Sequence, residues 1–385
     1  MTEWKEYKLS DIGTIVGGAT PSTKDASNYD DGEIAWLTPK DLSSFTERYI
    51  SRGERNITEK GFKSSSTQML PANTVLFSSR APIGYVAIAA NEMCTNQGFK
   101  SIIPNSKVDY LFLYYLLKYK KNAIEGMGSG TTFKEVSGNV MKNIEVQIPT
   151  DINIQKKIAD VLDKIDSKIE NNTAINRNLS EQADALFNGW FIEKQPFDEI
   201  EIASWKEMTL EEVSTLSAGG DKPKNAVDKA QEGFKIPIYS NGISDEGLYG
   251  FTNKAKIEEE SVTVSARGTI GYVCLRQTPF VPIVRLVTLV PKTFVMTAKY
   301  LYLWLKQLNI MGTGTTQQQL TVPDFKKTKI LVPSIETILK FTELVNPLYD
   351  QILKNKIENV KLSDVRDTLL PRLMSGELDI SDLDI

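Results

Sequence analysis

"IADVLDKIDSKIENNTAINRNLSEQADALF" (Ile158–Phe187) is the stretch that decides how this chain folds. Apolar residues fall at Ile158, Leu162, Ile165 and Ile169, then at Leu179 and Leu186. That is the four-three-four spacing of a coiled-coil seam, and it predicts a helix from about Ile154 to Trp190. The spacing returns at Phe341, Val345, Leu348 and Ile352, then at Leu362, Val365 and Leu369. Asparagines sit at the middle of each seam: Asn172 and Asn176 in the first, Asn355 and Asn359 in the second, matched at an offset of 183. Buried, such residues cost stability but fix register and partner number; solvated, they do neither. A helix with one apolar stripe must bury it, and the economical partner is its own duplicate, laid antiparallel. Thr150 and Ser334, each after a proline, are the expected N-caps.

The rest of the chain repeats too. Trp4, Leu9 and Ile12 return as Trp205, Leu210 and Val213. "SSRAPIGYV" (Ser78–Val86) returns as "SARGTIGYV" (Ser265–Val273), "MGSGTT" (Met127–Thr132) as "MGTGTT" (Met311–Thr316), and "LSEQADAL" (Leu179–Leu186) as "LSDVRDTL" (Leu362–Leu369). Short β-type runs in the first half, Glu33–Leu37, Thr74–Ser78 and Tyr85–Ala90, are broken by Gly, Pro, Asn and Ser turns. An aromatic-rich helix at Tyr110–Lys121 has its repeat at Tyr300–Gln307; both read as core rather than as base-stacking surfaces. Four segments are expected: globular over 1–150, a long helix over 151–195, globular over 196–334, and a long helix with a tail over 335–385. The fold class is α+β, with two globular domains related by a pseudo-twofold and separated by an antiparallel coiled coil of two long helices.

At 385 residues the chain has room for two or three domains, and each repeat can bury its own core. Charged residues at 24% and hydrophobic ones at 41% are ordinary for a globular protein. No apolar run approaches the roughly 18 residues of a membrane span, and the polar start is not that of a signal peptide. Cys94 and Cys274 lack C-x-x-C neighbours, so they read as small buried apolar residues in a reducing cytoplasm. The chain has no histidine, which removes the commonest general base, the Ser–His pairing and most zinc chemistry. The net charge of −4 is unevenly spread: +1 over 1–150, +3 over 201–334, and −4 in each helical stretch, 151–200 and 335–385. A protein that binds DNA alone carries a clearer basic excess, so a DNA-binding reading needs a partner to share the phosphate contacts. A pseudo-twofold object does suit a duplex. A helix of about 36 residues spans on the order of 54 Å, roughly a turn and a half of DNA at about 3.4 Å per base pair.

Several motifs resemble one family. They are the opening W-x-x-x-x-L-x-x-I followed by "GGATPS" (Gly17–Ser22), and the Arg-x-x-x-Gly turns at Arg80–Gly84 and Arg267–Gly271. With them come the Gly-[Ser/Thr]-Gly-Thr-Thr turns, "LFNGWF" (Leu186–Phe191) closing the first helix and "LLPRLMSGEL" (Leu369–Leu378) closing the second. In this order, and duplicated, they are similar to the specificity (S) subunit of Type I restriction–modification enzymes over nearly the whole chain. The second helix departs from that pattern by opening "IETILKF" without the Glu-Gln pair; the first keeps only Gln155. The resemblance implies two target recognition domains that bind an asymmetric, bipartite site on double-stranded DNA around an unread spacer. It implies helices that dock two methyltransferase (M) subunits, with restriction/translocase (R) subunits joining. It also implies a chain that does no chemistry and holds no cofactor, with S-adenosylmethionine, ATP and Mg on the partner subunits.

Within that reading the candidate DNA contacts are residues of the repeated turns. Arg80 and Arg267 hold equivalent places; arginine reads guanine bidentately and clamps phosphate, against the alternative of a structural ion pair. Thr131, Thr132, Thr315 and Thr316 offer hydroxyls and amides to phosphate. Lys40, Lys222 and Lys224 lie in or beside matching loops, and Asn241 in "YSNGIS" is an adenine reader or simply a turn residue. Asp160, Asp163 and Asp166 read as a solvated or subunit-docking helix face. "NPLY" (Asn346–Tyr349) looks like an amino-methyltransferase tetrapeptide, but it lies in the second amphipathic helix, and no glycine-rich donor loop or Walker loop accompanies it. A self-sufficient DNA-modifying enzyme and a coiled-coil scaffold that binds no DNA are the competing readings.

Overall fold

A computed structural model describes residues 3–43, 45–80, 82–130, 134–195, 197–312 and 319–380. The chain divides into two compact units, one of Met1–Thr173 with Lys356–Ile385 and one of Ala174–Asn355. The cut falls inside both long helices, Ile152–Phe187 and Ile335–Met374. Each unit is therefore one globular region with half of each helix, a different division from a globular domain followed by its own helix.

In the first unit Trp4–Lys8 pairs antiparallel with Glu145–Pro149, Trp4 opposite Pro149. This brings both ends of the globular region to the start of the long helix. Leu9 and Ile12, the repeated apolar pair, are fully buried in the next turn. A five-stranded sheet follows in the order Gly13–Gly17, Lys100–Pro104, Val75–Phe77, Val86–Ala89 and Tyr49–Ile50. The aromatic helix Tyr110–Gly126 packs on it. Phe112, Leu113, Tyr115, Leu116 and Leu117 are fully buried, so this helix is core. The Asp109 carboxylate caps it, accepting from the Leu111 and Phe112 amides at 3.0 Å.

The second unit reuses the frame. Lys206–Thr209 pairs with Lys329–Val332, Leu210 and Val213 are fully buried, and the sheet runs Ser214–Ala218, Val287–Pro291, Ser261–Val264, Val273–Arg276. The aromatic helix here is Ala298–Gln307, capped by Thr297. This unit's second sheet has three strands, Leu248–Thr252, Ile236–Tyr239 and Val281–Pro282, where that of the first unit has two, Trp36–Leu37 and Cys94–Thr95.

The helix halves run antiparallel within each unit, latched by the asparagines. In the first, Asn172 Nδ2 donates to Asn359 Oδ1 at 2.9 Å, and Asn359 Nδ2 to the Ile169 carbonyl at 3.4 Å. In the second, Asn355 Nδ2 donates to Asn176 Oδ1 at 2.8 Å, and Asn176 Nδ2 to the Ile352 carbonyl at 3.4 Å. At the 183-residue offset these are the same bonds twice. Asn172 and Asn355 are buried, so the latch reading replaces the solvated one. Around them Ile158, Leu162, Phe341, Val345 and Ile352 are buried, and Ile165, Ile169 and Leu348 half-buried.

Three expectations are corrected. Val365 is 48% exposed, because the neighbouring Arg366 turns inward and breaks the seam. Arg366 Nη1 donates to Asp166 Oδ1 at 2.8 Å, and the Tyr115 hydroxyl to Asp166 Oδ2 at 3.0 Å. Asp166 is thus buried rather than solvated, and Asp163 pairs with Arg48. Only Asp160 stays on the open face, against Lys164. The third concerns capping: Asp151, not Thr150, accepts from the first helix, at the Asn153 amide. Thr150 instead donates to the Glu3 carbonyl. Ser334 caps as expected, through the Thr337 amide.

Neither cysteine is in a disulfide and both are buried, and burial pushes the Cys94 thiol up to about 11. Among the described residues no helix is long and apolar enough to cross a membrane, and no cluster of metal-ligating side chains occurs. Asn346–Tyr349 lies inside the second long helix, with the Tyr349 ring edge-on to Tyr302.

Candidate nucleic-acid interface

In each unit the repeated turns converge on the short tip that leads into one sheet strand, Lys100–Pro104 or Val287–Pro291. The first tip is Thr95–Gly98, the second Pro282–Arg285.

A glycine lets the first turn approach each tip. A Cβ at Gly18 would collide with the Thr95 and Asn96 carbonyls, and one at Gly219 would come within 2.7 Å of the Ile283 backbone. The flanking amides bind across: Ala19 N–H donates to the Thr95 carbonyl at 3.0 Å, and in the second unit Val284 and Arg285 N–H donate to Gly220 and Gly219 at 2.9 Å. The "GGATPS" loop is tied down from behind. Trp36 Nε1 donates to the Ala19 carbonyl at 3.0 Å and the Tyr29 hydroxyl to the Pro21 carbonyl at 2.6 Å. The Arg55 guanidinium stacks 3.6 Å over the Tyr29 ring.

The arginine turns are fixed to the same tips. The Ser79 amide donates to the Gly98 carbonyl at 2.7 Å, placing Arg80 beside the first tip. Arg80 Nε meets Glu135 Oε2 at 3.0 Å, and Lys100 reaches the other oxygen of that carboxylate at 3.4 Å. In the second unit the equivalent partner is neutral: Arg267 Nε and Nη2 both donate to Gln319 Oε1, at 3.2 and 3.0 Å. The two locks share geometry but not charge.

Asn241 has a defined structural task. Its Nδ2 donates to the Val284 carbonyl at 2.7 Å, and its Oδ1 accepts from the Ala266 amide at 2.7 Å. One carboxamide thereby ties three loops together, and both its ends are spent on backbone. Lys222, on the glycine turn, stands 4.9 Å over the exposed Tyr249 ring, and Lys224 is exposed on the same loop. Lys40 is exposed and paired with Glu54 at 2.8 Å, and the hydrogen bond to that carboxylate raises its pKa. Its turn abuts the first tip, since a Cβ on Gly98 would meet Pro39 Cγ at 2.7 Å. Thr131, Thr132, Thr315 and Thr316 lie outside the described residues.

Two features of the tips were not singled out from sequence. Gln97 is exposed at the apex of the first tip, its side-chain oxygen accepting from the Thr20 hydroxyl. Val284 and Arg285, exposed at the second, both have left-handed backbones, with φ of 51° and 60°. That conformation costs an L-residue about 1–2 kcal/mol, and more for a β-branched one. Surrounding hydrogen bonds over-determine it, the usual sign of strain held for function. Arg276, buried beneath, stacks 3.6 Å over Tyr239 and donates to the Glu246 carbonyl at 2.7 Å, holding a second left-handed pair, Asp245–Glu246. The signal in the sequence was divergence: "CTNQGF" (Cys94–Phe99) and "VPIVRL" (Val281–Leu286) occupy one place in the repeat and share nothing.

Comparison with known proteins agrees with this duplication. The model of the type I restriction modification DNA specificity domain matches residues 1–181 and again 203–362. The MjaIX specificity subunit of Methanocaldococcus jannaschii is 34% identical, over 99% of this chain and 95% of its own. The HindI specificity subunit of Haemophilus influenzae is 24% identical, over 98% and 100%. The crystal structure of the S subunit from M. genitalium superposes with a TM-score of 0.64 at 19% identity, covering 99% of this chain and 97% of that one, and so shares the fold. The chain belongs to the type I restriction–modification specificity-subunit family.

Proposed function

We propose that this chain is the non-catalytic, sequence-reading subunit of a type I restriction–modification complex. Each unit reads one part of an asymmetric, bipartite duplex site, and bases between the parts go unread. The observation that carries the reading is the twin interface. In each unit an arginine, held by its guanidinium, stands beside a glycine-pinned strand tip, and a neighbouring turn carries exposed lysine: Lys40 in the first, Lys222 and Lys224 in the second. Arginine and lysine in that setting contact phosphate, and a tip projecting between them contacts base edges. Arg80, Arg267, Lys40, Lys222 and Lys224 are the proposed DNA contacts, with Thr131, Thr132, Thr315 and Thr316 of the repeated Gly-Thr-Thr sequences. Asn241 acts by holding the loops rather than by touching a base.

Different residues on the two tips make the site asymmetric. The long helices recruit two methyltransferase subunits, a restriction/translocase subunit joins, and the assembly works in the cytoplasm. S-adenosylmethionine, ATP and Mg reside on those partners, and the target adenine is flipped into the methyltransferase pocket. The near-neutral globular regions fit a subunit that shares phosphate contacts with partners.

Direct sequencing of base modifications in a host with and without this gene tests the proposal. A two-part methyladenine motif lost with the gene is the expected result. An unchanged methylome, with the neighbouring methyltransferase expressed, would overturn it.

A further inference from the structure

We infer that the two strand tips are the base readers, with Gln97 reading in the first unit and Arg285 in the second. This rests on the DNA-reading function proposed above and assigns the discriminating residues within it.

The two tips enter equivalent strands. Gly17 pairs with Lys100 in one sheet, and Ala218 with Val287 in the other. Both are clamped by a glycine turn on one side and by the arginine turn or Asn241 on the other. A rigid mount of this kind lets a side chain discriminate, since a mobile one conforms to any base. The mounts are alike and the side chains they carry are not, as required of two parts that read different sequences.

Each side chain has the chemistry of a reader. The Gln97 amide presents one acceptor and one donor, the pair that matches N6 and N7 of adenine in the major groove. The Thr20 hydroxyl, donating to Oε1, fixes that oxygen's direction and leaves it a second lone pair. Arg285 is a five-donor fork suited to O6 and N7 of guanine. Among the described residues its side chain has no hydrogen-bond or ion-pair partner, unlike Arg80 and Arg267. Val284, beside it, is an exposed apolar residue in a backbone that glycine would occupy without strain. Its methyls suit the thymine methyl group. A sequence that keeps valine and arginine at two successive left-handed positions retains their side chains for contact outside the domain.

The test is made on the full chain co-produced with its methyltransferase in a host lacking other modification, with the methylated motif read by direct sequencing. Arg285→Ala and Gln97→Ala change exposed side chains and leave the clamps intact. Arg285→Lys keeps the charge and removes the fork. Arg285→Ala and Arg285→Lys should relax the same one or two positions in one part of the motif, by about tenfold or more, and leave the other part unchanged. Gln97→Ala should relax positions only in that other part. Variants that keep every wild-type base preference, with methylation merely weaker or unchanged, would overturn the assignment and make the tips phosphate or packing elements. A wild-type chain with no motif of its own would instead remove the DNA-reading proposal itself, and this one with it.

Discussion

The first unit joins its aromatic helix to the long helices through charge, and the second does so through rings. In the first, Tyr115 and Arg366 converge on the buried Asp166. Arg48 binds Glu170 through both guanidinium and backbone, and reaches Ser167 at 2.8 Å and Asp163. Burial works against the Arg48 charge, yet the hydrogen bond to Glu170 and the charges around it raise its pKa. Aligning the helix caps Asp109 and Thr297, and the asparagine latches, puts Leu303, Tyr349 and Ala183 at the places of Tyr115, Asp166 and Arg366. All three are buried. Nearby Phe187, Trp190, Phe191 and Phe341 meet with centroids 4.9–6.0 Å apart. One backbone frame thus accepts either filling. The frame follows from the spacing of apolar positions and the caps, while the filling is free to differ.

The largest test of that contrast is Phe341→Ala, which opens a cavity in the ring cluster. It should cost about 4 kcal/mol, seen in denaturant unfolding followed by the fluorescence of Trp190, Trp205 and Trp304, all in the second unit. A loss under about 1 kcal/mol would mean the rings do not hold that unit together. Next comes Arg366→Ala, which leaves Asp166 buried without its cation and should cost about 3 kcal/mol. Replacing the whole trio by its counterparts, Tyr115→Leu with Asp166→Tyr and Arg366→Ala, should recover most of that, since swapping a buried ion pair for packed apolar groups is near neutral. A triple variant no more stable than the single one would break the equivalence.

The latches should behave alike where the fillings do not. Asn172→Ala and Asn355→Ala should each cost about 1–2 kcal/mol, and a difference beyond about 1 kcal/mol in unfolding would end the twofold reading. The smallest effect lies at the interface. Glu135→Gln gives the first arginine lock the neutral partner of the second. DNA affinity of the complex should rise about two- to fivefold at low salt, with a steeper salt dependence, in fluorescence anisotropy across a salt series. Unchanged affinity would place Arg80 away from DNA.

Much of the fold was legible because it repeats. The seams, the asparagines at matched offsets and the buried pair Leu9 and Ile12 are patterns in one dimension, and they survive into three. Asp166 was misread because helical spacing says which face a residue shares, and only tertiary structure says that a tyrosine and an arginine come to meet it. Asp151 displaced Thr150 as the cap because the Thr150 hydroxyl was claimed by the Glu3 carbonyl, a strand away. The interface was half visible. Arg80 and Arg267 announce themselves by recurrence, whereas Gln97, Val284 and Arg285 recur in position only. Asn241 looked like a turn signal or a base reader because its two backbone partners, at Ala266 and Val284, lie far along the chain.

The asparagine latch has a consequence for ancestry. Asn172 bonds Asn359, and Asn359 is the copy of Asn176, one helical turn from Asn172 itself. A single helix bearing both residues therefore carries the two sides of its own lock, and two identical copies would close it twice. Once the copies are fused in one gene, each lock is encoded by separate codons, and a change to one no longer strikes both. The two fillings, ionic and aromatic, are what such independence permits, while the retained asparagines mark the symmetry from which both set out.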